Sequence, residues 1–483
     1  MAMTIDGATN TVTGLSVGGL PDATVDAGTL ADDAVGVAEL SATGTASSST
    51  FLRGDNSWVA AGGVDSDAQY NTVAGTNAGD SFTNTDAVGN TLFGYDAGTT
   101  ITTGDYNTAS GYQALYLNDT GSKNTASGGQ ALYTNDTGHY NTACGYQALY
   151  LNDTGSKNTA IGSFALYTND TGSWNTAIGY YALFDNEDGS ENLGCGQYSL
   201  SNNISGSGNT ACGNNVLFCN TDGDYNTAIG NQTLNNNTTA DANVAVGYKA
   251  LYYNTTGSKN TASGHEALFN NDTGAFNTAI GKAALYTNSD ESYNVACGSG
   301  TLYLSTGTRN TAVGHDALDK NTTGGYNTAI GAYAGRPTEG GSYNTCLGYG
   351  AETSSASVDD EVVLGDSHVG TLRCNTSTIS ALSDARDKTE VEPSPLGIDF
   401  INTLNPVKFL WDTREGNHKD GTYEIGFIAQ ELQEVQKESN TEYLKMVIDE
   451  NPDRLEASYG QLVPILVQAI KELSAQVKQL QTA

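Results

Sequence analysis

The stretch NTAIGYYALFDNEDGSE, Asn175 to Glu191, decides how this chain folds, because variants of it fill the middle of the sequence. Its leading Asn recurs at Asn71, Asn90, Asn107 and onward to Asn344, giving seventeen copies of a pattern near N-T-A-x-G-x-x-A-L-Y-x-N-x-T-G-x-x. Every spacing between Asn90 and Asn294 is 17 residues, and a glycine stands four positions after each leading Asn, from Gly75 through Gly179 to Gly348. Helical-pair repeats need roughly 33 residues or more, so this unit is too short for them. Asn, Thr and Gly are poor helix formers, and the unit carries no 3.6-residue apolar stripe.

Two short strands separated by two turns fit the length. Asn175–Gly179 reads as one strand with Gly179 free to take a positive φ, and Ala182–Phe184 as a second. D-N-E-D-G-S at 185–190 reads as the return turn. Stacked coils give each strand a ladder partner above and below at about 4.8 Å, so seventeen coils make a rod of roughly 80 Å. No Pro interrupts the chain between Pro21 and Pro337, as a continuous ladder requires.

The slots of the repeat can be assigned in turn. Ala177 and Leu183, with their equivalents, are expected inside. The slot three after the leading Asn holds Cys144, Ile161, Ile178, Cys195, Cys212 or Cys297, and is read as a small interior position where a free Cys packs as an apolar group. The row after Leu (Tyr116, Tyr133, Tyr150, Tyr167, Phe184) is expected to face outward, packing between subunits or offering a stripe for sugars. The variable slot before each Asn, such as Lys157 and Trp174, reads as an exposed turn. The Thr row from Thr108 reads as a hydroxyl ladder, with an ice-binding array as the alternative. The N-D-T-G segments read as turns, since they lack the spacing of calcium-binding nonapeptides. Ala-Gly replaces Ala-Leu at Ala78-Gly79, Ala97-Gly98 and Ala334-Gly335, as atypical end units would.

Composition narrows the function. The chain has 483 residues, 20 Lys+Arg against 54 Asp+Glu and a formal charge of −34, so it repels phosphate backbones and no nucleic acid partner is expected. No apolar run approaches the roughly 20 residues of a membrane helix, and no signal peptide follows Met1, so no membrane insertion or secretion is expected. The seven Cys form no CxxC pair and the five His show no metal-ligand spacing, so neither a cofactor nor a metal is expected.

The repeat block resembles the left-handed parallel β-roll heads of trimeric autotransporter adhesins, whose units also centre on an A-x-G core. The segment T-A-S-S-S-T-F-L-R-G-D-N-S-W, Thr45 to Trp58, resembles one common in bacteriophage tail-fibre proteins. It includes Arg53-Gly54-Asp55, an integrin tripeptide elsewhere, here read as part of a shaft or attachment segment.

At Ser383 the composition changes. Residues 383–483 carry 10 basic and 18 acidic residues, 28 charged in 101, against 46 in the preceding 382. Val463, Leu466, Ile470, Leu473, Val477 and Leu480 are spaced 3, 4, 3, 4, 3, a heptad seam that suits either a coiled coil or one helix packed on its own core. S-D-A-R-D-K at 383–388, L-N-P-V-K-F at 404–409, G-F-I-A-Q-E-L at 426–432 and Y-G-Q-L-V-P-I-L-V-Q-A-I-K-E-L at 459–473 resemble, in order, the intramolecular chaperone domain of endosialidase-type phage tailspikes and fibres. That resemblance implies a domain that trimerises the fibre, guides folding and then cuts itself off. Carried onto this chain it makes Ser383 the nucleophile, Lys388 the base and Leu382–Ser383 the scissile bond. A serine hydroxyl needs an adjacent base, and lysine serves as one when burial or a neighbouring cation such as Arg386 lowers its pKa.

The sequence therefore predicts a mainly β chain in four parts. Residues 1–65 form an attachment or shaft region, 66–352 a parallel β-solenoid rod, 353–382 a β linker and 383–483 a small α+β chaperone ending in a coiled-coil helix. The expected protein is a homotrimeric phage tail fibre or tip in the virion, made in the host cytoplasm. It would join the tail or baseplate through its N-terminus and meet a host-surface glycan or protein. As a self-processing serine peptidase it would act once on its own chain. A bacterial trimeric surface adhesin, an ice-binding solenoid and a receptor-degrading tailspike are the alternatives.

Overall fold

The computed structural model describes residues 67–82, 86–369, 372, 388–411, 421, 423–449 and 455–482, together with the backbone of the short strands Thr4–Asp6, Thr11–Thr13, Thr50–Leu52, Trp58–Ala60 and Asp65–Ser66. The fold is mainly β, and its centre is a parallel β-solenoid. Three-residue strands run from Thr72–Ala74 to Val362–Leu364, each paired in register with the strand one coil on, as Thr159, Ala160 and Ile161 pair with Thr176, Ala177 and Ile178. Asp65–Ser66 pairs antiparallel with Thr72–Ala74 and covers the first edge of the ladder. At the other end the ladder runs on into E-V-V-L-G at 361–365, where Val362 pairs with Thr345.

Each coil has one strand where the sequence suggested two. Ala182–Phe184 is a turn, because Tyr181 (φ +56) and Leu183 (φ +51) are both left-handed. A left-handed Leu costs about 1 kcal/mol. Complete burial of its side chain contributes roughly 2 kcal/mol. The turn also bonds to both neighbouring coils, Tyr181 N to Ser163 O (3.3 Å) and Leu183 N to Ser199 O (2.9 Å). Burial and hydrogen bonding outweigh the strain. A second line of contact survives only as isolated bridges between Leu117 and Asp185.

Ala177 and Leu183 are fully buried, as expected. The slot after Ala is not. Ile161 is 41% exposed, Cys144 is exposed, and Cys195, Cys212 and Cys297 are only half-buried. Side chains alternate across a strand, so with Ala177 turned inward both Thr176 and Ile178 must point out. The outer face of the sheet thus carries a Thr column beside a column of Ile, Val, Cys and Ser.

The space inside is filled by asparagine. Asn175 donates through Nδ2 to Gly189 O (2.7 Å), and its Oδ1 accepts the backbone N–H of Asn192 one coil on (3.0 Å). A second column runs beside it: Asn186 Nδ2 donates to Asn169 Oδ1 (2.9 Å) and to Gly189 O (2.7 Å). The N-D-T-G segments are turns whose Asn is built into this column, as Asn152 Nδ2 donates to Gly155 O (2.8 Å). The glycine of each N-T-A-x-G is needed because coils nearly touch there. Gly179 has φ +138, and a Cβ on it would lie 2.6 Å from Gly196 O. At the Ala-Gly units the core is completed from elsewhere: Ile101 and Leu92 occupy the space beside Gly98.

The aromatic row stacks on itself along the rod, so its rings do not lie open side by side as a stripe. Tyr116, Tyr133, Tyr150, Tyr167 and Phe184 stack face to face along the rod with centroids 5.1, 4.9, 5.0 and 4.9 Å apart. A one-coil rise brings the rings to stacking distance, and stacking hides the faces.

The C-terminal region has ordinary globular packing. Helices α1 (Ile398–Ile401), α2 (Ala429–Glu438) and α3 (Leu462–Thr482) accompany two hairpins, Val407–Leu410 with Tyr423–Gly426 and Val447–Ile448 with Glu456–Ala457. Phe400, Leu432, Met446, Leu462 and Ile465 form the core. Among the described residues no helix is long and apolar enough to cross a membrane.

Candidate functional site

Leu382 and Ser383 lie outside the described residues, as does Arg53-Gly54-Asp55. Lys388 is solvent-exposed on irregular chain ten residues before α1. The segment entering α1 is clamped to α3. Glu472 accepts hydrogen bonds from Ile398 N (2.8 Å) and from Gln468 Nε2 (2.9 Å), and the backbone N–H, the stronger influence, holds its carboxyl below the usual glutamate range. Gly397 makes room for this clamp, since a Cβ there would run into the Glu472 carboxylate. No local pattern signals the clamp, because its partners are 74 residues apart.

α3 has two apolar faces. Leu462, Ile465 and Ala469 are buried in the module's own core. The heptad seam is a different face and lies open, with Ile470 65% exposed and Leu480 79%. The seam is therefore not explained by packing within one chain. A helix that already has a buried face and keeps a second apolar one exposes a surface suited to other helices.

The rod offers further surfaces. The slot before the leading Asn is left-handed and in most coils exposed, as at Trp174 (φ +63, 58% exposed). In places a cation and a ring neighbour each other along it. Lys157 Nζ lies 3.8 Å over the Trp174 ring, and Arg309 is 5.3 Å from both Tyr293 and Tyr326. Lys123 Nζ donates to Tyr140 Oη (2.8 Å), which raises the lysine pKa and lowers that of the phenol. Burial pushes the Cys346 thiol up to about 11. Among the described residues no group of three His, Cys, Asp or Glu could hold a metal ion.

No curated protein matches the chain. Residues 383–441, from the candidate nucleophile through α2 and into the chain that follows it, match the family model described as chaperone of endosialidase.

Proposed function

We propose that this chain is a homotrimeric phage tail fibre or fibre tip whose β-solenoid rod meets the host surface. Residues 1–65 would join it to the virion tail or baseplate. Residues 383–483 would assemble the three chains through the α3 seam and then separate by cutting Leu382–Ser383. The observation that carries this reading is the order of parts: a repetitive β rod, followed by a chaperone-of-endosialidase match that starts at residue 383.

Physical reasons support such a tail. Stacked strands in three chains are non-local and slow to pair, so a clamp that sets register first would prevent mispairing. The rod's outward Thr and Ile columns and the uncovered α3 seam are the faces that three copies would bury. Removing the clamp afterwards would leave the assembly kinetically trapped.

The cut can be written in balanced steps. Ser383 Oγ attacks the Leu382 carbonyl carbon while Lys388 takes the hydroxyl proton and delivers it to the Ser383 nitrogen. The C–N bond breaks, leaving Leu382 esterified to Oγ and a free amine at Ser383. Water then hydrolyses the ester, releasing a Leu382 carboxylate and restoring the hydroxyl. Lys388 is exposed in one chain, so desolvation by neighbouring chains would tie cutting to assembly. Electrophoresis and intact mass of the expressed full chain test the reading. Wild type should give fragments ending at Leu382 and beginning at Ser383, while Ser383→Ala stays whole and sediments as a trimer. Cleavage persisting in Ser383→Ala rejects the nucleophile, and a monomeric uncut chain rejects the clamp.

A further inference from the structure

One coil in the body of the rod is shorter than its neighbours. Between Asn294 and Asn310 the spacing falls to 16 residues, yet the strands keep register, Val295 pairing with Thr311. The missing residue is taken from the turn half. Ser305 stands in the second asparagine column, donating through Oγ to Asn321 Oδ1 (3.1 Å), and buried Asn321 Nδ2 has no hydrogen-bond partner among the described residues.

The aromatic stack ends at the same place. Tyr252, Phe269, Tyr286 and Tyr303 follow one another at 5.5, 5.1 and 5.0 Å, and the next coil puts Asp319 where a ring would follow. One face of Tyr303 lies against Tyr286 at 9° between planes. Tyr303 also lines a groove of about 460 Å³ together with Leu304, Lys282, Lys320, Asp316 and Asp319. Tyr303 remains 37% exposed.

The carboxylates of this groove are set in place. Asp316 Oδ2 is 3.3 Å from His315 Nδ1, and Asp316 Oδ1 lies where a Cβ on left-handed Gly300 (φ +68) would sit. Asp319 Oδ2 is 3.4 Å from Arg336 Nε, while its buried Oδ1 has no hydrogen-bond partner among the described residues. Burial raises the Asp319 pKa.

We propose that this groove is a carbohydrate subsite, in which a neutral pyranose ring stacks on the open face of Tyr303 and its hydroxyls bond to Asp316, Asp319, Lys282 and Lys320. A pyranose has one face of C–H groups and a rim of hydroxyls that both donate and accept, which matches an aromatic floor ringed by two carboxylates and two ammonium groups. A nucleotide would stack as well, but a chain of charge −34 repels its phosphates. The proposal rests on the reading that the rod meets the host surface, and names the chemistry of that contact.

Saturation-transfer NMR on the full chain tests it, using methyl glycosides of glucose, galactose, mannose, N-acetylglucosamine and N-acetylgalactosamine as probes. At least one should receive saturation on its ring C–H protons. Tyr303→Ala should weaken that binding tenfold or more. Asp319→Tyr, which extends the stack into the groove, should abolish it while the thermal melt stays at or above wild type. Tyr116→Ala, in the other stack, should leave it unchanged. Absence of transfer to all five glycosides overturns the proposal, as does binding that survives Tyr303→Ala and Asp319→Tyr alike. Adhesion of labelled protein to a panel of bacterial strains separates the two readings. Equal adhesion by wild type and Asp319→Tyr overturns the subsite and leaves host attachment standing. Glycoside binding that Asp319→Tyr abolishes, without adhesion to any strain, supports the subsite and removes host attachment.

Discussion

The rod and the C-terminal module solve the same problem with opposite materials. The module hides Phe400, Leu432, Met446, Leu462 and Ile465 in a shared apolar core. The rod is too thin for that: a typical coil such as 175–191 buries one Leu, two Ala and two Asn. Its buried amides are tolerated because neighbouring coils supply their partners, Asn321 Nδ2 excepted, so polar burial is repeated at a fixed geometry instead of avoided. The comparison teaches that the rod's stability lies in its register, whereas the module's lies in volume filled.

That contrast can be broken most forcefully at a coil contact. Gly179→Val places side-chain atoms against Gly196 O in a left-handed backbone, at a cost on the order of 4 kcal/mol or more. Hydrogen exchange should then rise in the coils around Gly179, while the buried amides of α3 keep their protection. Equal loss in both regions would mean that the two do not fold as separate units.

A smaller effect sharpens the point about amides. Asn158→Ala removes the donor to Gly172 O (2.8 Å) and the acceptor for Asn175 N (2.9 Å). Two buried groups are orphaned, so a loss of about 2–6 kcal/mol is expected. Thermal melts of the uncut chain, followed in the β region of the circular dichroism spectrum, provide the check. A change below 1 kcal/mol would show that water replaces the amide.

The smallest effect concerns the module. The Glu472 carboxyl is held below its usual pKa by the Ile398 N–H, so its contribution is complete above the ordinary glutamate range and disappears as pH falls through the depressed folded value. Glu472→Gln should flatten the pH dependence of α3 unfolding below about pH 4.5 and leave the rod's unchanged. An unchanged slope would mean that the clamp does not form in solution.

Much of this was legible beforehand. The period, the buried Ala177 and Leu183 columns and the exposed slot at Trp174 follow from recurrence and residue type, and the resemblance of the region after Ser383 to the chaperone family is matched over residues 383–441. The second strand at Ala182–Phe184 was misread because a left-handed Leu is locally unfavourable, and only its burial makes it worthwhile. The Cys144 and Ile161 slot was placed inside because its residues are apolar, when the alternation set by Ala177 turns it out. Burial of Asn175 and Asn186 could not be read from composition, since their partners lie one coil away. The groove at Tyr303 had a visible trace in the 16-residue spacing, yet nothing in the residues themselves says that a ring face is left open there.

By itself the sequence determined that this is a stack of short coils followed by a different module, because periodicity and composition act over windows of a few residues. Which side of each strand faces solvent, which amides pair and where the aromatic stack stops are settled by long-range packing instead. Those outcomes depend on contacts between residues 17 apart along the chain and about 5 Å apart in space.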